Sequence, residues 1–187
     1  MMAIRVGEIF DLQRKKYSEL LSFLYGGLIV RLYKDLNDPE EINKKVEQIG
    51  FSMGQRLIDD VLVKLGKLQE LPKKNFIDQI VGQIFTSFLG IPDYNFQKTK
   101  DGENDCNEYE ITFKTNPLNL FVELPEKLKT LWYSNLICGI IRGAFDVIFI
   151  EVETHFEKDT LRGDNINLIK FTIKQFIEEK FVEEEEG

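Results

Sequence analysis

His155 is the chain's only histidine, the side chain best suited to moving protons near neutral pH. It lies in Glu151–Leu161, where Val152, Thr154 and Phe156 alternate with it. Strand alternation puts His155 on the face opposite those three, beside Glu153 and Glu157. Acid–base or nucleophilic catalysis also needs a nucleophile or an orienting carboxylate in a cleft, and no nucleophile motif supplies one. A surface strand histidine is the expectation. Cys138, within Leu136-Ile137-Cys138-Gly139-Ile140, reads as a small buried hydrophobe. Cys106 stands among Asn104, Asp105 and Asn107, and acidic neighbours raise a thiol pKa and blunt its reactivity. No Cys/His set has zinc spacing and no G-x-x-x-x-G-K-[ST] loop offers a phosphate cradle. The pairs Asp59-Asp60 and Glu178-Glu179 are adjacent in sequence, so on a helix they diverge too far to share a proton well. No catalytic residue, metal or cofactor is expected.

The arginines carry more information. Arg56 and Arg142 each interrupt an apolar helical pattern. Each is followed on the same face by a carboxylate at i+3 or i+4: Asp59 or Asp60 for Arg56, Asp146 for Arg142. Two readings stand at this point. The pairs are exposed and helix-internal, or they form a half-buried network tying two helices together.

The elements that position these residues are well punctuated. Lys15–Leu36 reads as a helix, with Tyr17, Leu20, Leu21, Leu24, Leu28 and Leu32 at spacings of three and four. Phe23, Tyr25, Ile29 and Val30 widen its apolar surface beyond one stripe, so it must bury more than one side. A subunit interface through Leu21, Leu24, Leu28 and Leu32 is the expectation, with the isolated chain a homodimer. Asn37-Asp38-Pro39-Glu40-Glu41 starts a second helix: Asp38 as N-cap, Pro39 first inside, Glu41 as capping-box partner. Gly66 should stop it. Gly50 and Gly54 sit inside it on one face; each costs roughly 1 kcal/mol against alanine, which close approach of another helix or the sheet would offset. A third helix should run from Pro72 to Gly90. Strands are expected at Tyr94–Lys98 and Glu108–Lys114, then a short segment at Leu120–Leu124. A strongly apolar fourth helix should begin near Lys127 and reach Phe149. A last hairpin, Glu151–Leu161 and Ile166–Lys174, precedes an acidic tail, Glu178–Gly187. The order αααββαββ predicts an α+β fold: a four-stranded antiparallel sheet with helices on one face.

The 187 residues fit one domain, with a core of about 15–175 and the tail at 178–187. Net charge −8 repels phosphate backbones and anionic lipid, so nucleic acid is not an expected partner. No secretory leader, myristoylation glycine or membrane-length apolar run is evident, which places the chain in the cytoplasm as an expectation.

Several stretches resemble one family in order and at compatible spacing. They are Tyr25-Gly26-Gly27-Leu28; Ile49-Gly50-Phe51-Ser52-Met53-Gly54-Gln55-Arg56-Leu57-Ile58-Asp59-Asp60; and Phe88-Leu89-Gly90-Ile91. Asn116-Pro117-Leu118 with Phe121-Val122-Glu123-Leu124-Pro125 follows, then Tyr133-Ser134-Asn135-Leu136. The last are Cys138-Gly139-Ile140-Ile141-Arg142-Gly143-Ala144 and Asp159-Thr160-Leu161-Arg162-Gly163-Asp164. From about Tyr17 to Ile173 the chain resembles the Bet-three family, core small subunits of the TRAPP (transport protein particle) vesicle-tethering complex.

The resemblance implies an α/β plait, dimerisation through the first two helices and pairing with paralogous small TRAPP subunits. It implies a subunit that is not an enzyme alone. Its assembly exchanges guanine nucleotide on a Rab-type small GTPase in ER-to-Golgi transport, and lies peripherally at Golgi and ER-derived membranes. It implies GTPase contact by the C-terminal end, where Phe181 and Val182 interrupt the acid run. Family members carry an acylated cysteine between the second and third helices, at the mouth of an apolar channel. An ungapped alignment puts Glu70 there and Ile84 where a small lining residue is expected; Ile80, Ile84 and Phe88 are the channel-lining candidates. Glu70 forms no thioester, so no S-acylation and a shortened channel are expected. The alternative is a dimeric module that binds a lipid or small molecule in an open channel. A stand-alone catalytic domain is the third class, and the isolation of His155 counts against it.

Overall fold

The computed structural model describes residues 6–66, 73–103 and 106–177. Helix α1 spans Val6–Leu36, longer at its start than the apolar spacing predicts. It ends at Asn37, whose φ of +50° and N–H bond to Tyr33 O (3.0 Å) close the last turn. Helix α2, Pro39–Leu65, begins as expected: Asp38 is the N-cap and its carboxylate accepts from Glu40 N–H at 3.1 Å. Gly66 ends it at φ +70°, a conformation that favours glycine. Helix α3, Lys73–Gln83, widens into a π-helical turn, Ile84–Phe88.

Four strands follow: β1 (Tyr94–Lys100), β2 (Glu108–Phe113), β3 (Ile150–Lys158) and β4 (Asn167–Phe176). They form one sheet of order β1-β2-β4-β3, antiparallel throughout. The α+β plait expected from the sequence is the fold observed. The period-2 pattern selects the core side: Tyr109, Ile111 and Phe113, then Val152 and Phe156, then Ile169, Phe171 and Ile173 are buried. His155, Glu153 and Glu157 are exposed on the other face.

One expectation near the fourth helix is corrected. Helix α4 spans Leu136–Val147 and does not begin near Lys127. The stretch before it holds a 3-10 turn at Glu126–Leu128 and further turns, although Leu131 and Tyr133 are buried. An apolar run marks burial, not helicity. Asn43 of α2 ties this stretch down through both its side chain and its backbone: Trp132 N–H donates to Asn43 Oδ1 at 2.9 Å, and Asn135 Nδ2 donates to Asn43 O at 3.2 Å. The short segment Leu120–Leu124 lies in irregular chain between β2 and α4.

Helix α4 is buried along most of its length, between α2 and the sheet. It meets α2 across two pairs of glycines. A Cβ on Gly54 would lie 2.8 Å from Ala144 N, and one on Gly139 2.9 Å from Phe51 N. Gly50 and Gly143 face backbone in the same way. The cost of interior glycine is thus offset by a helix contact that no side chain could occupy. Among the described residues no helix is long and apolar enough to cross a membrane.

Candidate functional site

The helix pair α2–α4 carries the charged residues singled out above, with different partners. Arg142 forms an ion pair with Glu47 of α2 and lies 5.8 Å from the Phe51 ring. Asp146 accepts from Gln55 Nε2 of α2 at 3.1 Å. The helix-internal pair Arg142–Asp146 is therefore corrected: both residues bond across the helix pair. The reason is local. The glycines draw the two backbones together, which brings Glu47 and Gln55 of α2 within bonding reach of α4. Arg56 and Asp59 are exposed, and no ion pair joins them. An exposed helix pair loses side-chain entropy for little Coulomb gain. The i+4 rule looks along one helix only, so Glu47 and Gln55 were missed. The signal that points to them is the second glycine pair, Gly139 and Gly143, which matches Gly50 and Gly54. Beside this seam a surface groove of about 440 Å³ is lined by Lys44, Glu47, Gln48, Phe51, Ser52 and Arg142. It holds no nucleophile–base pair: the Ser52 hydroxyl donates to its own helix at Gln48 O, 3.2 Å away.

Helix α1 has two faces. Tyr25 and Ile29 are buried, and the Tyr25 hydroxyl donates to Tyr133 O. The rings of Tyr25 and Tyr133 meet edge to face at 5.1 Å. Burial raises the Tyr25 pKa well above the ordinary phenol range and pushes Tyr133 up to about 12, so both stay neutral hydroxyls. The opposite face is apolar and open: Leu20, Phe23, Leu24 and Val30 are more than half exposed. Of the residues named as interface candidates, Leu24 lies on this face and Leu21 at its edge, while Leu28 and Leu32 pack partly against the core. At about 100° per residue, Leu28 and Leu32 turn inward with Tyr25 and Ile29.

Ile80 and Ile84 are completely buried, and Phe88 is half-buried with Lys64 Nζ 4.4 Å from its ring centroid. The π-helical turn widens the helix at this point, with Leu89 N–H reaching Ile84 O at 3.0 Å. Glu70, Phe181 and Val182 lie outside the described residues. Cys138 is fully buried; burial pushes its thiol far above the ordinary range, which suits the small hydrophobe expected and leaves it inert. Cys106 is half-buried and its Sγ lies 2.9 Å from Lys174 O. No group of three or more His, Cys, Asp or Glu among the described residues is placed to hold a metal ion.

Asp159, at the turn between β3 and β4, is the one buried carboxylate among the described residues. Its Oδ1 accepts from Leu161 N–H at 2.9 Å, while Oδ2 has no partner. Burial raises its pKa, opposed by the Leu161 N–H and by Arg162. The arginine also lies 3.9 Å from the Trp132 ring centroid.

What these surfaces serve is narrowed by the proteins the chain resembles. Residues 21–172 match the family model for the transport protein particle (TRAPP) component. Trafficking protein particle complex subunit 3 of Dictyostelium discoideum is 35% identical over 175 residues, covering 91% of this chain and 90% of that one. Transport protein particle subunit bet3 of Schizosaccharomyces pombe is 32% identical over 182 residues, covering 96% and 97%. A solved structure of trafficking protein particle complex subunit 3 from Naegleria fowleri, covalently bound to palmitic acid, superposes with a TM-score of 0.77 at 40% identity. It covers 88% of this chain, which covers 99% of it in turn. The family match takes in most of the open face of α1, the glycine seam and most of the sheet, and the chain belongs to the TRAPP component family.

Proposed function

We propose that the chain is a non-catalytic core subunit of a TRAPP-like vesicle-tethering complex, pairing through α1 with a second copy or with a paralogous small subunit. The observation that carries this is the coincidence of the family match over residues 21–172 with an α1 face that is apolar and uncovered. An apolar patch of that size on one helix marks a contact surface. Similarity to subunit 5 of the D. discoideum complex, 25% identical over 123 residues, supports partners built on the same fold. Within the assembly, the chain contributes to guanine-nucleotide exchange on a Rab-type GTPase in ER-to-Golgi transport, with Phe181 and Val182 as the GTPase contact. It is cytoplasmic and meets Golgi and ER-derived membranes peripherally, through the complex. Native mass spectrometry of the complex captured on this subunit from its own cell tests the reading. The expected species contains related subunits of similar mass; a chain recovered alone or with unrelated proteins overturns it.

A second reading is favoured by one finding, the palmitic acid bound covalently in the N. fowleri structure. It casts the chain as a lipid-binding dimeric module with Ile80, Ile84 and Phe88 lining an apolar channel. Here Glu70 stands at the family's acylation position, and a carboxylate makes no thioester. Of the two thiols, Cys138 is sealed in the core. The proposal is that no S-acyl chain is carried at position 70 and that Ile84 narrows the channel. Intact mass under denaturing conditions is expected to equal the sequence mass; a palmitate-sized adduct removed by hydroxylamine overturns it.

A further inference from the structure

Each of the first three helices ends close to a residue with positive φ, and the residue there suits it. Asn37 follows α1 at +50°, Gly66 follows α2 at +70°, and Gly90 lies just beyond the π-helical turn of α3 at +68°. Asparagine and glycine take up this region at little cost. Helix α4 breaks the pattern. The residue that turns the chain from α4 into β3 is Phe149, at φ +60°. A bulky L side chain at such a φ crowds its Cβ against backbone, so the fold holds this residue under strain. The neighbouring backbone imposes the turn: Phe149 N–H donates to Asp146 O at 3.1 Å, and Phe149 O accepts from Ile177 N–H at 2.8 Å. Core packing does not account for the phenylalanine either, since it is 46% exposed. Val147, two residues before it, and Ile177, bonded to its backbone, are 38% and 48% exposed. Neither local conformation nor burial within the chain explains a phenylalanine here, and strain of this kind gathers at functional sites.

This apolar knob is separate from the open face of α1. Tyr25 of α1 meets Tyr133 just before α4 begins, whereas Phe149 lies just after α4 ends. The 12 residues of α4 set the two places about 18 Å apart. The rim of the knob is acidic. Asp146 accepts from Gln55 Nε2 at 3.1 Å and Glu151 from Gln175 Nε2 at 2.5 Å, and both donors are neutral amides. Lys174 is engaged by Glu153. The C-terminal end of α4 adds its partial negative charge. A negative rim works against two occupants. A second copy seated isologously would bring the same carboxylates to the same place. The chain's own tail, which follows Ile177, carries Glu178, Glu179 and Glu183–Glu186. Resting on membership of a multi-subunit complex, we propose that Phe149, with Val147 and Ile177, is the anchor on which a further subunit docks, through a segment that sets lysine or arginine beside an apolar side chain. Phe149 enters an apolar pocket of that subunit, and Asp146 and Glu151 take its cations at the rim. Desolvation of a central aromatic is what makes such an anchor strong, and here it offsets the strain that the free chain carries.

The test uses the full chain and the complex captured on it from its own cell. With p-benzoylphenylalanine in place of Phe149, irradiation is expected to join the chain to another subunit of the complex, at a segment where lysine or arginine adjoins an apolar residue. Phe149→Gly removes the knob and the strain together. It is expected to raise the urea midpoint of the isolated chain, while recovery of the cross-linked subunit in the complex falls tenfold or more. A residue that served the fold alone would not move the two in opposite directions. Asp146→Asn combined with Glu151→Gln leaves an oxygen for each amide and should release the same subunit at lower salt than wild type. A cross-link to a second copy, to the chain's own tail or to no protein overturns the proposal. So does a Phe149→Gly chain that keeps the complex whole or has a lower midpoint. A wild-type chain recovered alone from the cell overturns the membership on which the proposal rests. A complex recovered intact, with no cross-link at position 149, leaves membership standing and overturns the docking site inferred here.

Discussion

Asp159 shows what a single buried carboxylate contributes. It caps the turn after β3 through Oδ1 and leaves Oδ2 without a partner. Burial raises its pKa in the folded state, so the folded protein binds the proton more tightly than the unfolded chain. By linkage this residue's contribution falls as pH rises through the unfolded value of about 3.9, and levels off above the folded value. Asp159→Asn keeps the capping oxygen and removes the ionisation. The variant is expected to gain stability relative to wild type as pH rises from 4 to 7, followed by urea denaturation at several pH values. Asp159→Ala loses the cap as well and should be less stable than Asp159→Asn by about 1 kcal/mol. A constant difference between Asn and wild type across the range would mean that Asp159 is not the titrating group. His155, the residue that first invites a catalytic reading, is exposed on the outer sheet face, and its strand neighbours there are Glu153 and Glu157.

The α2–α4 seam and the outer face of α1 differ in how closely they are packed. The α2–α4 seam is tight. Gly54→Val places methyl groups where Ile140 and Ala144 backbone now stands. Backbone cannot rotate away as a side chain can, so the expected loss is about 3 kcal/mol or more by urea denaturation. A loss below 1 kcal/mol would show that the helices can separate without consequence. The outer face of α1 is loose by comparison. Leu24→Glu puts a charge on the exposed stripe and is expected to convert the proposed dimer to a folded monomer, seen by sedimentation with unchanged circular dichroism. Leu28→Glu faces partly inward and should lower stability as well as association. The two leucines have the same type and helical spacing in sequence, and only their direction on the helix separates them.

At the scale of the molecule, net charge −8 is concentrated toward the C-terminal end, where Glu183–Glu186 follow Phe181 and Val182. Deleting residues after Lys180 is expected to slow nucleotide exchange by the full complex several-fold without changing its subunit composition by native mass spectrometry. Unchanged exchange would reduce the tail to a solubilising segment.

Element types, the α+β order and the limits of α2 were readable from local rules, because caps, glycine stops and period-2 alternation act over a few residues. Asp38 and Gly66 bound α2 as their chemistry dictates. The alternation of Tyr109, Ile111 and Phe113 was enough to identify the buried side of β2. The family, too, was present in the sequence, as short stretches kept in order. What tertiary structure alone decided is non-local. Arg142 pairs with Glu47, far away in sequence, because two glycine pairs bring their helices together. The apolar run before Leu136 is irregular and is held to another element, where Asn43 accepts from Trp132 N–H. Phe121 joins Phe23 because Ser22, Ser134 and Thr160 converge on one loop. Local rules set which way each segment can fold; which faces meet depends on packing the whole chain, and no short window of sequence contains that information.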